Sequence, residues 1–321
     1  MTLKMEDIAR LAHVSRSSVS IALNNKPGIS QEKREKIFEV INKYGYQPLR
    51  KSKKGLNRHL AEINLLVVNK TSGLINENYR SLPFFDNLIS ALSKRVSSFG
   101  GTLKINSLQL DELKEDVISL DKKKQLGPTL VLGTDLNSED VIFLNKSIKN
   151  VVFVDTYFPQ IAANFVTMDN YQGGYMVGKE LTKRGFTRIG YAASNQWISN
   201  FQERQRGFYD ALKEAKINVD PANFYTISPT KILPEKDELT QILRAKLPEV
   251  LFCEDDYIAI RLIKGLLKEK LSIPEDLSIV GFDDIYAGTL VTPELTTVHV
   301  QIDQIVDQAI LQLQNQVFQN N

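Results

Sequence analysis

Between Val14 and Ser30 the chain reads VSRSSVSIALNNKPGIS, and its polar groups are concentrated at one end. Ser15, Ser17, Ser18 and Ser20 surround Arg16. A serine hydroxyl both donates and accepts, and a guanidinium donates in a planar fork. Ser15 suits an N-cap, so the stretch predicts a helix from Arg16 to about Asn24 with Val19, Ala22 and Leu23 inward. Asn24-Asn25 ends it, and Pro27-Gly28 prevents its return. A helix start offering small hydroxyls, one long cation and unpaired backbone N–H groups suits phosphate oxygens and purine edges.

Two further helices position that one. Met5, Ile8, Ala9, Leu11 and Ala12 recur at helical spacing, and His13 follows where a turn tolerates a left-handed residue. His13 is therefore read as a turn residue rather than a ligand. Ser30 caps a third helix with Ile37, Phe38, Val40 and Ile41 inward, stopping before Gly45. Three short helices with a tight turn between the first two predict a helix-turn-helix, whose second helix enters the DNA major groove.

Charge divides the chain in the same place. Residues 1–59 hold thirteen Lys/Arg against five Asp/Glu, and the other 262 hold 27 against 33. A basic head on a mildly acidic body fits a polyanionic partner, the alternative being a solvated basic tail. Cys253 is the single cysteine, so no internal disulfide and no Cys metal cluster can form. The start shows no apolar signal core and no apolar run is long enough to span a bilayer, so no membrane association and a cytoplasmic location are expected.

From Glu62 onward, apolar runs at Ile63–Val68, Thr129–Leu132, Val151–Val154, Ile189–Ala192, Val250–Phe252 and Ile279–Phe282 alternate with amphipathic stretches. The latter include Leu82–Phe99, Tyr171–Arg184, Arg204–Ala215, Asp255–Lys270 and Asp303–Val317. This predicts an α/β body of two doubly wound parallel-sheet subdomains, with a ligand in the crevice at the strand C-termini. Gly173-Gly-Tyr-Met-Val-Gly178-Lys179-Glu180 nearly matches a phosphate loop. Glu180 replaces the Ser/Thr that would hold Mg²⁺, and Met176, Val177 and Leu181 share a helical face, so the segment reads as helix interior. Glu254-Asp255-Asp256 cannot converge on one ion. No catalytic motif is present, and no catalytic residue, metal or cofactor is expected.

The segment MEDIARLAHVSRSSVSIALNNKPGISQEKREKIFEVINKYGYQP resembles the head of the lactose-repressor (LacI/GalR) family of transcription regulators. The resemblance continues through PFFDNLISAL, VVFVD, VTMDNYQGGYMVGKELTKRGFTRIGY, ERQRGFYDALKEAKI, IPEDLSIVGFDD and TPELTTVHVQIDQI, covering nearly the whole chain. It implies a helix-turn-helix domain at 1–46, a hinge at 47–61 and a periplasmic-binding-protein-like core at 62–321 with three crossings between subdomains. The expected subdomains are 62–162 plus 294–321, and 163–293.

Carried over residue by residue, Arg16 and Ser17 match the first base-reading pair, and Ser15, Ser20 and Asn24 match phosphate or register contacts. Ile21 stands where the family usually has a guanine-reading Arg, which argues for A·T or no base preference there. In the hinge QPLRKSKKGLNRHLA, Lys51, Lys53 and Lys54 could hold phosphates. Gly55 occupies the place of the family's intercalating leucine with Leu56 beside it, the alternative being a disordered basic linker.

For the crevice the resemblance implies effector contacts at Arg204 and Asp283, with Phe84 on the facing subdomain. Trp197 either stacks on a sugar ring or packs in a lid. Glu254 replaces the family's usual Asn, which argues for a ligand rich in donors or for a Glu254–Arg204 pair. Asp255 reads as a helix cap. The expected partners are near-palindromic operator DNA, a sugar or sugar-phosphate effector (a purine being less favoured) and a second copy of the chain. The function implied is repression of carbohydrate-utilisation genes. A sugar receptor without a regulatory role would lack the basic head.

Overall fold

The computed structural model describes residues 5–23, 28–44, 60–76, 78–229, 236–244 and 246–319. The chain divides into two compact units, Met1–Arg58 and His59–Asn321.

In the first unit, α1 (Met5–Leu11), α2 (Arg16–Leu23) and α3 (Gln31–Tyr44) enclose a small core of Ile8, Ala9, Ala12, Val19, Ala22, Ile37 and Ile41. The turn after α1 closes when Val14 N–H donates to Ala9 O at 2.9 Å, with His13 at φ 54°. His13 is thus the left-handed turn residue expected from its position. The Ser18 N–H donates to Ser15 Oγ at 3.1 Å, so Ser15 caps α2. At the other end of α2, Arg34 Nη1 donates to Ala22 O at 3.2 Å, placing a cation on the helix's negative pole.

The second unit is built from strands alternating with helices. In chain order these are β1 (Glu62–Asn69), α4 (Pro83–Ser98), β2 (Thr102–Gln109), α5 (Leu113–Lys122), β3 (Thr129–Leu132), α6 (Ser138–Ser147), β4 (Val151–Val154) and β5 (Phe165–Val166). There follow α7 (Asn170–Lys183), β6 (Ile189–Ser194), α8 (Ser199–Glu214), β7 (Phe224–Ile227), α9 (Lys236–Arg244), β8 (Val250–Cys253), α10 (Asp256–Lys268), β9 (Ser278–Val280) and α11 (Ile302–Gln319). They form two all-parallel sheets, ordered β2-β1-β3-β4-β5 and β7-β6-β8-β9. This is the α/β architecture expected of the sequence, with one sheet in each lobe.

The strands that the apolar runs miss are all at sheet edges. β2 reads TLKINSLQ and is mostly half-buried, β7 alternates exposed and buried residues, and β5 has two residues. Interior strands β3, β4 and β8 are buried at every position and β1 and β6 at all but one, which is why these read as apolar runs. Because β5 pairs with β4, the first lobe's opening segment extends to Val166, past the expected boundary at 162. Helix α11 returns to that lobe: Gln316 accepts from Val151 N–H at 3.0 Å and donates to Val151 O at 2.9 Å. Two crossings between lobes lie within the described residues, after β5 and before α11.

The near-phosphate-loop glycines lie inside α7, as the helical reading anticipated; Gly173 faces Phe282, and Gly174 and Gly178 face α8. A Cβ on Gly174 would sit 2.0 Å from Arg204 O, and one on Gly207 would sit 2.0 Å from Tyr171 O. Gly178 similarly faces Ala211 and Phe208. The two helix backbones touch, and no side chain fits between them.

Gly207→Ala should therefore cost about 3 kcal/mol of stability, read as a lower urea midpoint. Gly185→Ala is the comparison: its Cβ meets nothing within 4 Å, and φ of +87° is the only obstacle. That change should cost about 1 kcal/mol.

Candidate functional site

Two sets of polar side chains stand out, one on the first unit and one between the lobes of the second.

On the first unit, Arg16 and Ser17 are exposed at the start of α2. Arg16 Nη1 lies 3.1 Å from Glu6 Oε1, both side chains about two-thirds exposed. The serine hydroxyls form a chain, with Ser15 Oγ 2.7 Å from Ser17 Oγ and 2.9 Å from Ser18 Oγ. Ser20 and Ile21 are half-buried, and Ile21 Cδ1 points toward Gly28. Asn24 and the hinge residues Lys51, Lys53, Lys54, Gly55 and Leu56 lie outside the described residues.

In the second unit, the C-terminal edges of the two sheets face each other. The Phe84 N–H, at the start of α4, donates to the Tyr257 hydroxyl at the start of α10 (2.9 Å). Asn200, at the start of α8, donates through Nδ2 to Asp155 O at 3.1 Å and Asp155 Oδ1 at 3.0 Å. Asp155 follows β4, and Thr134 Oγ1 also donates to it at 2.5 Å.

Arg204 is the centre of this arrangement and is 3% exposed. Its Nε donates to Asn170 Oδ1 at 2.8 Å, Nη1 to Glu254 O at 2.6 Å and Nη2 to Asp283 Oδ1 at 3.1 Å. The guanidinium lies 3.7 Å from the Phe282 ring centroid and 5.3 Å from that of Phe201. Asp283 is held at φ 115°, a left-handed conformation unusual for a residue with a side chain.

The structure brings Arg204 and Asp283 together and sets Glu254 beside them through its main chain. The side-chain pair considered for Glu254 and Arg204 does not form. The Glu254 carboxylate instead accepts from Tyr191 OH at 2.8 Å and from Ser194 N–H at 2.5 Å. The reason is position: Glu254 follows β8, and its side chain reaches across to β6. Trp197 is 83% exposed in the loop after β6 and stands apart from the cluster. Phe84 is buried, edge-on to Phe85 at 5.4 Å. The three consecutive acids diverge as expected. Asp255 Oδ1 accepts from Ile258 N–H and caps α10, while Asp256 accepts from Thr297 Oγ1 at 2.6 Å and Ile285 N–H at 2.9 Å.

Asp155, Asn170, Asn200 and Tyr257 were not identified from the sequence. Asp155 had a signal, since it is the first polar residue after the run Val151–Val154. The asparagines and Tyr257 had none, because their roles come from contacts between distant segments.

Burial dominates the acid–base behaviour. It pushes the Glu254 carboxyl up to about 8 against the opposing bonds from Ser194 and Tyr191. Asp256 rises to about 7, and Asp155 and Asp255 to about 6, again because burial disfavours the charge. Asp283 is raised by burial while Arg204 opposes the shift.

Two cavities adjoin this cluster. One of about 870 Å³ runs beside β9 and is lined by Val177, Leu181, Ile263, Ile279 and Phe282. Another of about 590 Å³ is bounded by Tyr157, Thr167, Asn200, Glu203 and Arg206. Among the described residues no helix is long and apolar enough to cross a membrane, and no group of three or more His, Cys, Asp or Glu could hold a metal.

Comparison with known proteins follows this division. Residues 4–48 match the bacterial regulatory proteins of the lacI family, and residues 179–321 match the periplasmic binding protein-like domain. The HTH-type transcriptional repressor PurR of Vibrio cholerae is 30% identical over 304 residues, covering 92% of this chain and 85% of PurR. The ribose operon repressor of Haemophilus influenzae is 30% identical over 299 residues, covering 92% and 86%. GalR of Salmonella typhimurium is 28% identical over 313 residues, covering 95% and 86%. Among solved structures, a complex of the transcriptional regulator CelR with cellobiose superposes with a TM-score of 0.68 at 20% identity, over 99% of this chain and 94% of that one. The lac repressor dimer bound to operator and the anti-inducer ONPF gives 0.67 at 17% identity, over 100% and 94%.

Glu254, with a folded-state pKa above its unfolded one, contributes stability that is complete at low pH and lost as the pH rises through about 8. Asp256, Asp155 and Asp255 act in the same direction at lower pH. Between pH 6 and pH 9 the melting temperature should fall by about 5 °C. Glu254→Gln should flatten the profile below about pH 8, and an unchanged profile would place the titration on another group.

Proposed function

The chain belongs to the lacI family of bacterial regulatory proteins, and from that premise we propose that two copies read a near-palindromic operator under the control of a sugar-like effector. The observation that carries this reading is the head: α2, capped by Ser15, presents Arg16 and Ser17 to solvent while Val19 and Ala22 face inward. A recognition helix needs that separation of faces, with its N-terminal residues at the base edges. Arg16 reaches a guanine edge or a phosphate, Ser15 and Ser20 stay near the backbone, and Ile21 can pack only on an apolar base feature. One head makes too few contacts for a unique site, so pairing through a homodimer supplies the specificity.

The crevice supplies the control. Arg204, Asp283, Glu254 and Phe84 lie where the lobes approach, and a polyhydroxyl ligand offers donors to the carboxylates. The ligand changes DNA affinity only by its differential affinity for two arrangements of the lobes. The hinge at 47–61 is the element we assign as the switch. Ordering about eight residues costs roughly 8–16 kcal/mol of backbone entropy, which DNA and the partner's hinge must offset. That near-balance makes it sensitive to the spacing of the paired cores. The protein acts in the cytoplasm, at its operator, and carries out no reaction of its own.

In gel retardation with its own promoter region, the wild-type chain should shift a discrete fragment, and a sugar should alter the shift. Arg16→Ala should weaken binding about tenfold or more without lowering the melting temperature. Failure of every promoter fragment to shift, with or without sugars, would sink the reading.

Binding-site selection should return A·T, or no preference, at the base pair facing Ile21. An invariant G·C there would mean that another residue reads that position.

A further inference from the structure

The basic head carries a carboxylate at its reading end. Residues 1–59 hold five Asp/Glu, and two of them, Glu6 and Asp7, lie in the first turn of α1. Asp7 meets Arg10 of the same helix at 3.0 Å. Glu6 reaches outside its own helix. Its Oε1 accepts from Arg16 Nη1 at 3.1 Å, ten residues along the chain, and so ties the start of α1 to the start of α2.

The fold does not depend on this pair. Both side chains are about two-thirds exposed, and ion pairs in water add little to stability. The apolar contact between α1 and α2 is made by Ile8, Ala9, Ala12, Val19 and Ala22, and Ser15 caps α2 without either residue. Grip on DNA does not explain it either. A carboxylate beside the helix that enters the groove repels phosphates and lowers affinity for every sequence alike. What an acceptor at that place can add is a choice between bases.

The donors and acceptors fit that use. Glu6 takes a hydrogen bond from Nη1 alone, so the Nε–Nη2 edge of Arg16 keeps parallel donors for the O6 and N7 of a guanine. Ionised Glu6 has a second oxygen, held beside that edge, which can only accept. The partner of guanine offers it a donor, the cytosine N4 amino group. The partner of adenine offers the thymine O4, an acceptor that a carboxylate repels.

We infer that Glu6 is a specificity residue of the head. It holds Arg16 by one nitrogen, and the two side chains together read a single G·C base pair, Arg16 on the guanine and Glu6 on the paired cytosine. This rests on the reading that α2 enters the major groove. The two charges cancel, so the pair contributes to the choice of sequence more than to attraction by phosphates.

The test uses the full chain, binding-site selection from randomised duplexes and gel retardation. The wild type should return an invariant G·C at one position of each half-site, and Arg16→Ala should lose that preference. Retardation then compares the selected site, the same site with that G·C changed to A·T, and an unrelated duplex. The change to A·T should weaken wild-type binding about tenfold or more. Glu6→Gln adds a donor able to meet thymine O4, so it should narrow the gap to about threefold or less. Glu6→Ala should narrow it likewise and tighten binding to the unrelated duplex. Neither change should move the melting temperature. Equal discrimination by wild type and both Glu6 variants would overturn the inference, and a uniform gain on all three duplexes would reduce Glu6 to a repelling charge. A preference for A·T at the position that depends on Arg16 would overturn it too. Variants that melt well below the wild type would assign Glu6 to the fold of the head instead. A wild type that selects no duplex at all is a separate failure, because it removes the major-groove reading on which this one stands.

Discussion

A guanidinium sealed from water must have its charge and its donors satisfied, and in this chain that requirement falls on Arg204. Its partners come from separate parts of the second lobe: Asn170 opens α7, Glu254 closes β8, and Asp283 follows β9. Phe282 and Phe201 enclose the cation's faces. Removing one partner would leave a buried charge uncompensated, so the group behaves as a single unit. The ends of two strands and the start of a helix are thereby fixed relative to α8. Because these ends form one wall of the crevice, the shape of the site is set by an interaction that engages every nitrogen of Arg204.

That arrangement alters the role that motif matching gives to Arg204. A residue in Arg-x-x-Gly-Phe suggests a direct grip on a ligand, but the three bonds to protein make it first an organiser of the wall. The acids around it are held in burial that raises their proton affinity, with Glu254 largely protonated near neutrality. Held protonated, Glu254 adds no negative charge to the wall beside Arg204.

The sequence carried the fold wherever a single local rule decided the outcome. His13 follows a helix end, Ser15 precedes an apolar-periodic stretch, and the fully buried strands read as unbroken runs. Edge strands such as β2 escaped because one side of each meets solvent and their residues are mixed. The glycines of α7 were readable as helix interior, but their purpose was not, since it depends on α8. The crevice was legible in part. Arg204, Asp283, Phe84 and Glu254 were found through motif resemblance, while Asn200 and Tyr257 act across lobes and have no local pattern. Trp197, chosen for its aromatic face, is exposed in its loop.

The backbone contact between α7 and α8 has an evolutionary corollary. Arg204 O lies against Gly174, so the helix bearing the crevice cation admits almost no drift on its inner side. New ligand preferences in descendants of such a chain must then arise where substitutions are cheap. The loop after β6 is one such place: Trp197 in it is exposed, and the chain runs on from there to Asn200 at the lobe contact. A lineage could exchange one metabolite signal for another by rewriting a few positions there while inheriting the rest of the chassis unchanged.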